Sequence, residues 1–213
     1  RRLKVSKKQG ALAMSAAALL ALAGFEGFSD HAYQPLPGDK WTYGFGHTAG
    51  VEKGDTIDLY GAVRLLKDDV KAFEKAVNEA VEVPVTQFQF DALVMFTFNV
   101  GVYAFQDSTL LKCLNELDYA CVSREWMRWK YFHGKSVKGL EARRARELAI
   151  FHGEPIFENN GRICFGSAGC LSVGDLLQER SRGPDGAQTE RGGSGGSVVH
   201  DALSTPPKGG EGS

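Results

Sequence analysis

Thr86 and Gln89 stand three residues apart at the head of a run that is apolar on every side: Phe90, Leu93, Val94, Met95, Phe96 and Phe98, continuing to Val100. A Thr hydroxyl accepting from the third backbone N–H, with a Gln side chain reaching back, is a capping box, so a helix starts here. A helix with no polar face has to be surrounded by other elements. The chain must therefore wrap a body around residues 88–100, and 213 residues with 43% hydrophobic content suffice for one such core.

The covering elements are legible on both sides. Leu59, Val63, Leu66, Val70, Phe73, Val77 and Val81 recur at alternating steps of four and three behind Asp58. That spacing predicts one long amphipathic helix with Asp58 as its N-cap. Shorter helices are expected at 109–117, at 120–132 with Trp126 and Trp129, and at 140–151 with a basic, solvated face of Arg143, Arg144 and Arg146. Ahead of them, the glycine-rich alternation Trp41-Thr42-Tyr43-Gly44-Phe45-Gly46-His47 follows the turn Pro37-Gly38-Asp39 and reads as a small hairpin. The fold class is α+β, mainly α, with the β part near the start.

Lys and Arg total 25 against 26 for Asp and Glu, so no overall basic field points to nucleic acid. The four cysteines, at 113, 121, 164 and 170, contain no C-x-x-C, and the five histidines lie far apart. No metal cofactor is indicated. The thiols are compatible with disulfides in an exported protein, and equally with Cys113 and Cys121 serving as small core residues.

The two ends differ from the middle. Residues 1–9 form a basic flank, with five positive charges and no negative one in the first eight positions. From Gly10 to Phe25 nothing is charged and small residues dominate. At about 1.5 Å per residue this apolar helix reaches roughly 24 Å, short of the ~30 Å hydrocarbon core of a bilayer. Three readings stand: a signal peptide cleaved at Ala21-Leu22-Ala23, a marginal and reversible membrane helix, or the first helix of the soluble domain. Residues 154–213 hold half of the 26 glycines and no Trp or Tyr, and read as a flexible tail, with some apolar residues and the Cys164/Cys170 pair in its first part.

The stretch Phe25-Glu26-Gly27-Phe28-Ser29-Asp30-His31-Ala32-Tyr33, followed by Asp39 and by Thr42-Tyr43-Gly44-Phe45-Gly46-His47, resembles the phage-type lysozymes of glycoside hydrolase family 24. Further motifs agree in order: Phe98-Asn99-Val100-Gly101, Ser108-Thr109-Leu110-Leu111, Trp129, Gly134-Lys135, Gly139-Leu140 and Arg143-Arg144. The resemblance covers residues 24–153. It implies a lysozyme-like fold of two lobes, with a small β-hairpin region near the N-terminus and a helical C-terminal lobe. It also implies a monomer that hydrolyses the glycan strands of peptidoglycan without a cofactor.

Glycosidic cleavage asks for one protonated carboxyl at the leaving oxygen and a second carboxylate to activate water or stabilise positive charge. Glu26, between Phe25 and Phe28, is the expected acid, because apolar surroundings raise a carboxyl pKa. The family's usual second-acid position is occupied by Pro35, and Asp39 is the nearest replacement; its plainer role is that of a turn aspartate bonding its own backbone. Thr42 takes the family role of holding the attacking water. Asp30, four residues from Glu26, is a weaker rival. Phe98 and Asn99 fall where the family lines its glycan cleft, although Phe98 reads equally as core. His47 is expected to brace the hairpin through an acidic partner, and the 143–146 arginines could alternatively contact an anionic wall polymer.

Cleavage after Ala23 would leave Glu26 without a helix. The Ala-rich segment at 10–25 instead resembles the subgroup of signal-anchor-release endolysins. That resemblance implies insertion in the bacterial inner membrane, with the basic flank held in the cytoplasm, followed by escape of the helix into the folded enzyme.

Overall fold

A computed structural model of the chain describes residues 10–132, 134–157 and 161–178; the basic flank at 1–9 and residues 179–213 of the expected tail lie outside the described residues. The fold is mainly helical with small antiparallel sheets, as the sequence suggests. Two compact units divide it: one built from residues 15–72 with those described after 155, the other from 73–154 with 10–14.

In the first unit, Ser15 opens helix α1 (Ala16–Glu26) by accepting the Ala18 N–H at 3.1 Å. The apolar segment is therefore not one helix from Gly10: Ser15 interrupts it as an N-cap, since its hydroxyl satisfies a donor that the helix interior cannot. Ala18, Leu19, Leu20, Leu22 and Ala23 of α1 are buried. Strand β1 (Ser29–Tyr33) pairs antiparallel with β2 (Thr42–Gly44), with Ser29 opposite Gly44 and Tyr33 opposite Thr42. A third extended segment lies along β1 through Ala32 N–H to Asp55 O and Ile57 N–H to Asp30 O, each 2.9 Å. Helix α2 (Leu59–Ala80) follows, with Asp58 accepting the Gly61 N–H as the cap expected of it.

Residues 161–178 depart from the reading of a flexible tail. Strands β5 (Arg162–Cys164) and β6 (Cys170–Ser172) form a hairpin closed by the Cys164–Cys170 disulfide, and a short helix, α8 (Val173–Gln178), packs on α1. Their low apolar content concealed a regular inward alternation: Ile163 and Phe165 are half-buried and Leu171 is fully buried, whereas Cys164 is exposed.

In the second unit the capping box is present, with Thr86 and Gln89 bonded to each other's backbone, and α3 (Gln87–Val100) is buried along almost its whole length. Around it stand α4 (Val102–Gln106), α5 (Thr109–Asn115), α6 (Tyr119–Met127) and α7 (Lys138–Phe151). A two-stranded β3 (Tyr131–Phe132) and β4 (Lys135–Ser136) ends the helix expected to run to 132. The second disulfide, Cys113–Cys121, joins α5 to α6. Residues 12–14 lie extended against α2 and α3: Asn78 donates to and accepts from Leu12, Glu74 accepts from Met14 N–H and Gln87 donates to Ala13 O. These polar side chains satisfy a backbone that forms neither helix nor sheet.

The basic face foreseen on α7 is not solvated. Arg144 and Glu147 are fully buried and Arg143 nearly so. Glu147 accepts from Arg143 Nε at 3.0 Å, from Arg144 Nη2 at 2.8 Å and from Trp126 Nε1 at 3.1 Å. A buried arginine is tolerable only with such a partner, so Arg143 and Arg144 serve the core and do not contact a wall polymer. Only Arg146, half-exposed beside Glu154, fits the expected surface role.

Candidate active site

Glu26 is the last residue of α1. The helix stops there because Gly27 takes φ 73°, a left-handed value that glycine alone adopts without strain. Only Gly27 and Phe28 separate the carboxylate from β1, whose first residue faces Gly44 on β2. Thr42 lies two positions along the same strand, about 7 Å at the usual rise per residue. Helix end and hairpin are thereby fixed in one piece of chain.

An aromatic cluster begins two residues after Glu26. Phe28 packs on Phe45 with ring centroids 5.6 Å apart, and both meet Phe165, at 6.2 and 5.2 Å. Phe25 on the other flank is exposed. Glu26 itself is half-buried.

Asp39 is exposed in the turn before β2, where its Oδ2 accepts the Leu36 N–H at 3.0 Å and its carbonyl accepts from the Gln34 amide. Its carboxylate thus closes the turn. Thr42 is buried, and its hydroxyl donates to Lys40 O at 3.1 Å. With that proton committed, the Thr42 oxygen presents lone pairs to any further partner. Asp30 is exposed and bonded to His31 Nδ1 at 2.7 Å, which holds its carboxyl below the usual range, and its main-chain oxygen is committed to Ile57.

His47 closes the hairpin through a bridge to Tyr43 and pairs with Asp69 on α2, the acidic partner that the sequence left unnamed. The bond to Asp69 raises the His47 pKa above its ordinary value, against the opposing effect of burial. Burial and the charges of Asp55 and Asp69 push the Tyr43 phenol up. Asp69 could have been found in the sequence as the one acid set beside Val70 within the apolar rhythm of α2.

Phe98 and Asn99 lie at the end of α3 in the other unit. Phe98 is 1% exposed, its ring 4.9 Å from that of Phe73. It packs as a core residue, one of the two readings the sequence allowed. Asn99 is half-buried and its Oδ1 accepts from Arg144 Nη2 at 2.9 Å.

A mainly helical body whose first helix ends in a carboxylate and passes at once into a small antiparallel hairpin has the lysozyme-like fold. The chain belongs to the phage lysozyme family, whose sequence model matches residues 23–147. It is 43% identical over 141 residues to an endolysin of Bacillus phage PZA, a match covering 65% of this chain and 55% of that one. A SAR-endolysin of Escherichia phage Mu is 46% identical over 88 residues, 41% of this chain and 52% of that one. The chain thus spans about half the length of these two relatives. Among solved structures, the muramidase domain of SpmX from Asticaccaulis excentricus is similar with a TM-score of 0.62 at 36% identity, covering 65% of this chain and 97% of that domain.

Proposed function

We propose that the chain is a phage endolysin that hydrolyses the β-1,4 bond between N-acetylmuramic acid and N-acetylglucosamine in peptidoglycan and so lyses the host cell. The observation that carries the proposal is the junction of Glu26 with the hairpin bearing Asp39 and Thr42, in a chain of the phage lysozyme family. Glu26, protonated, gives its proton to the glycosidic oxygen as the bond to the anomeric carbon breaks. Water held by the Asp39 carboxylate and the Thr42 oxygen attacks that carbon from the opposite face, and Asp39 takes its proton. The anomeric configuration inverts. Asn99, its Oδ1 held by Arg144, offers its amide N–H to the glycan.

Replacing Glu26 by Gln keeps shape and removes the proton. The variant is expected to melt like the wild type and release no soluble muropeptides from purified peptidoglycan; retained release overturns the role of Glu26. A second reading, a peptidoglycan-binding or membrane lysis accessory without catalysis, is favoured by the engagement of Asp39 in its own turn. Mass spectrometry of the digest separates the readings, since a binder yields no muropeptides. Anhydro-muramic ends would mean a lytic transglycosylase, for which Asp39 is dispensable.

The same proposal extends to delivery. The basic flank at 1–9 and the weakly apolar residues 10–25 act as a signal anchor in the host inner membrane, later released to the periplasm, as the Ala-rich composition and the similarity to a SAR-endolysin support. Among the described residues no helix is long and apolar enough to cross a membrane. The folded chain is then the released form. Cell fractionation before and after collapse of the membrane potential tests this, and a protein soluble throughout overturns it.

A further inference from the structure

We infer that the disulfide-closed hairpin β5–β6 positions Glu26, with Ile163 and Phe165 as the positioning residues; this rests on the reading of Glu26 as the catalytic acid. The hairpin lies beyond residues 23–147, the part that matches the family. Its two inward side chains bracket the carboxylate along the chain. Ile163 sits over Gly24, where a Cβ would come within 2.7 Å of its Cδ1, so a side chain there would push the Ile163 tip aside. Two residues further on, just past the end of β5, Phe165 completes the ring cluster with Phe28 and Phe45. Glu26 is centred between Gly24 and Phe28, and one hairpin therefore touches the chain on both flanks of it.

Glu26 stands on the last residue of α1, where a helix frays unless something holds it. The hairpin supplies the hold, reinforced by α8 on the same helix. A three-residue strand pair is marginal by itself, and the Cys164–Cys170 bridge ties its two strands. Cys164 is on the outward, exposed side of the strand and Cys170 is half-buried, so the bridge is reached by solvent thiols from the Cys164 side. Integrity of an outer disulfide is thereby coupled to placement of an inner carboxylate.

The test uses the full chain and peptidoglycan turnover, with Phe165→Ala, Ile163→Ala, the conservative Phe165→Leu, and the double variant Cys164→Ser/Cys170→Ser. Misplacing a catalytic group by an ångström lowers turnover without weakening ground-state binding, so the two Ala variants and the double Ser variant are expected to lose about tenfold or more in kcat with KM within about twofold. Phe165→Leu is expected to recover most of the loss. An active wild type with variants of unchanged kcat overturns the positioning role alone. A loss that only tracks the fraction unfolded at the assay temperature, with no rescue by Phe165→Leu beyond regained stability, also overturns it. A wild type that releases no muropeptides overturns the muramidase reading, and the positioning role with it.

Discussion

The imidazole of His47 sits between two acceptors, with Nδ1 2.9 Å from Asp69 Oδ2 and Nε2 3.0 Å from the Ala49 carbonyl. A neutral ring has one N–H and satisfies one of them; only the imidazolium donates to both. The folded-state pKa is accordingly raised, chiefly by the Asp69 bond. A pKa raised above the unfolded value of about 6.5 makes a contribution that is complete below that pH and fades as pH rises through the folded value. His47→Gln is thus predicted to lower the thermal midpoint more at about pH 5.5 than at about pH 9. Melting curves of both proteins across that range decide the matter, and a constant gap between them would refute the assignment.

Glu147 accepts from both Arg143 and Arg144, and it is fully buried. Glu147→Ala removes from the core the carboxylate that two guanidinium groups share and also strips the Trp126 indole of this acceptor. Breaking a buried pair from one side costs about 3–5 kcal/mol. The predicted loss in a denaturant titration is of that size, whereas Glu154→Ala, removing the exposed partner of Arg146, should change stability by about 0–1 kcal/mol. Similar effects for the two would contradict the network.

This contrast marks where the sequence was readable. Thr86, Gln89 and the spacing from Leu59 to Val81 report on contacts within one element, and those contacts formed as expected. The Arg143–Arg144 pair was misread because charge in a sequence normally means solvent; the correction lies three and four residues on, at Glu147, where the i, i+3 and i, i+4 spacing offered the only hint. Phe98 was undecidable locally, since a helix apolar on all sides gives no indication of which ring faces out. Ile163 and Phe165 were hidden by glycine-rich surroundings, and their role depends on Gly24, far away in the chain. Within the site, Glu26 and Thr42 were legible through the motif that joins them, while the engagement of Asp39 with Leu36 N–H appeared only with the folded turn.

Gly44 offers a prediction about the hairpin itself. Its φ is 61°, and a Cβ there would stand 3.0 Å from Ala62 Cβ on α2. Gly44→Ala meets a left-handed penalty of about 1–2 kcal/mol and crowding of about 1–3 kcal/mol. Ala62→Gly in the same chain should relieve the crowding and leave the backbone penalty, so the double variant is predicted to recover only part of the lost stability. Full recovery in a denaturant titration would show that the conformation at Gly44 is not needed.

Ala18, in the first turn of α1, is fully buried, whereas its neighbour Ala17 is half-buried. In a membrane the two positions are nearly equivalent, and a leucine at either adds about 0.5 kcal/mol to insertion. In the folded chain they differ, because filling the space at Ala18 overpacks a closed contact at a cost of about 1–3 kcal/mol while Ala17 can lean toward solvent. If α1 leaves the bilayer to become this helix, Ala18→Leu shifts the balance toward the membrane by both effects and Ala17→Leu by mainly one. The prediction is an ordered delay of lysis after induction, longest for Ala18→Leu, shorter for Ala17→Leu, with the purified Ala18→Leu protein also melting earlier. Equal lysis times for both variants, together with unchanged melting, would mean that burial of Ala18 in the folded helix plays no part in release.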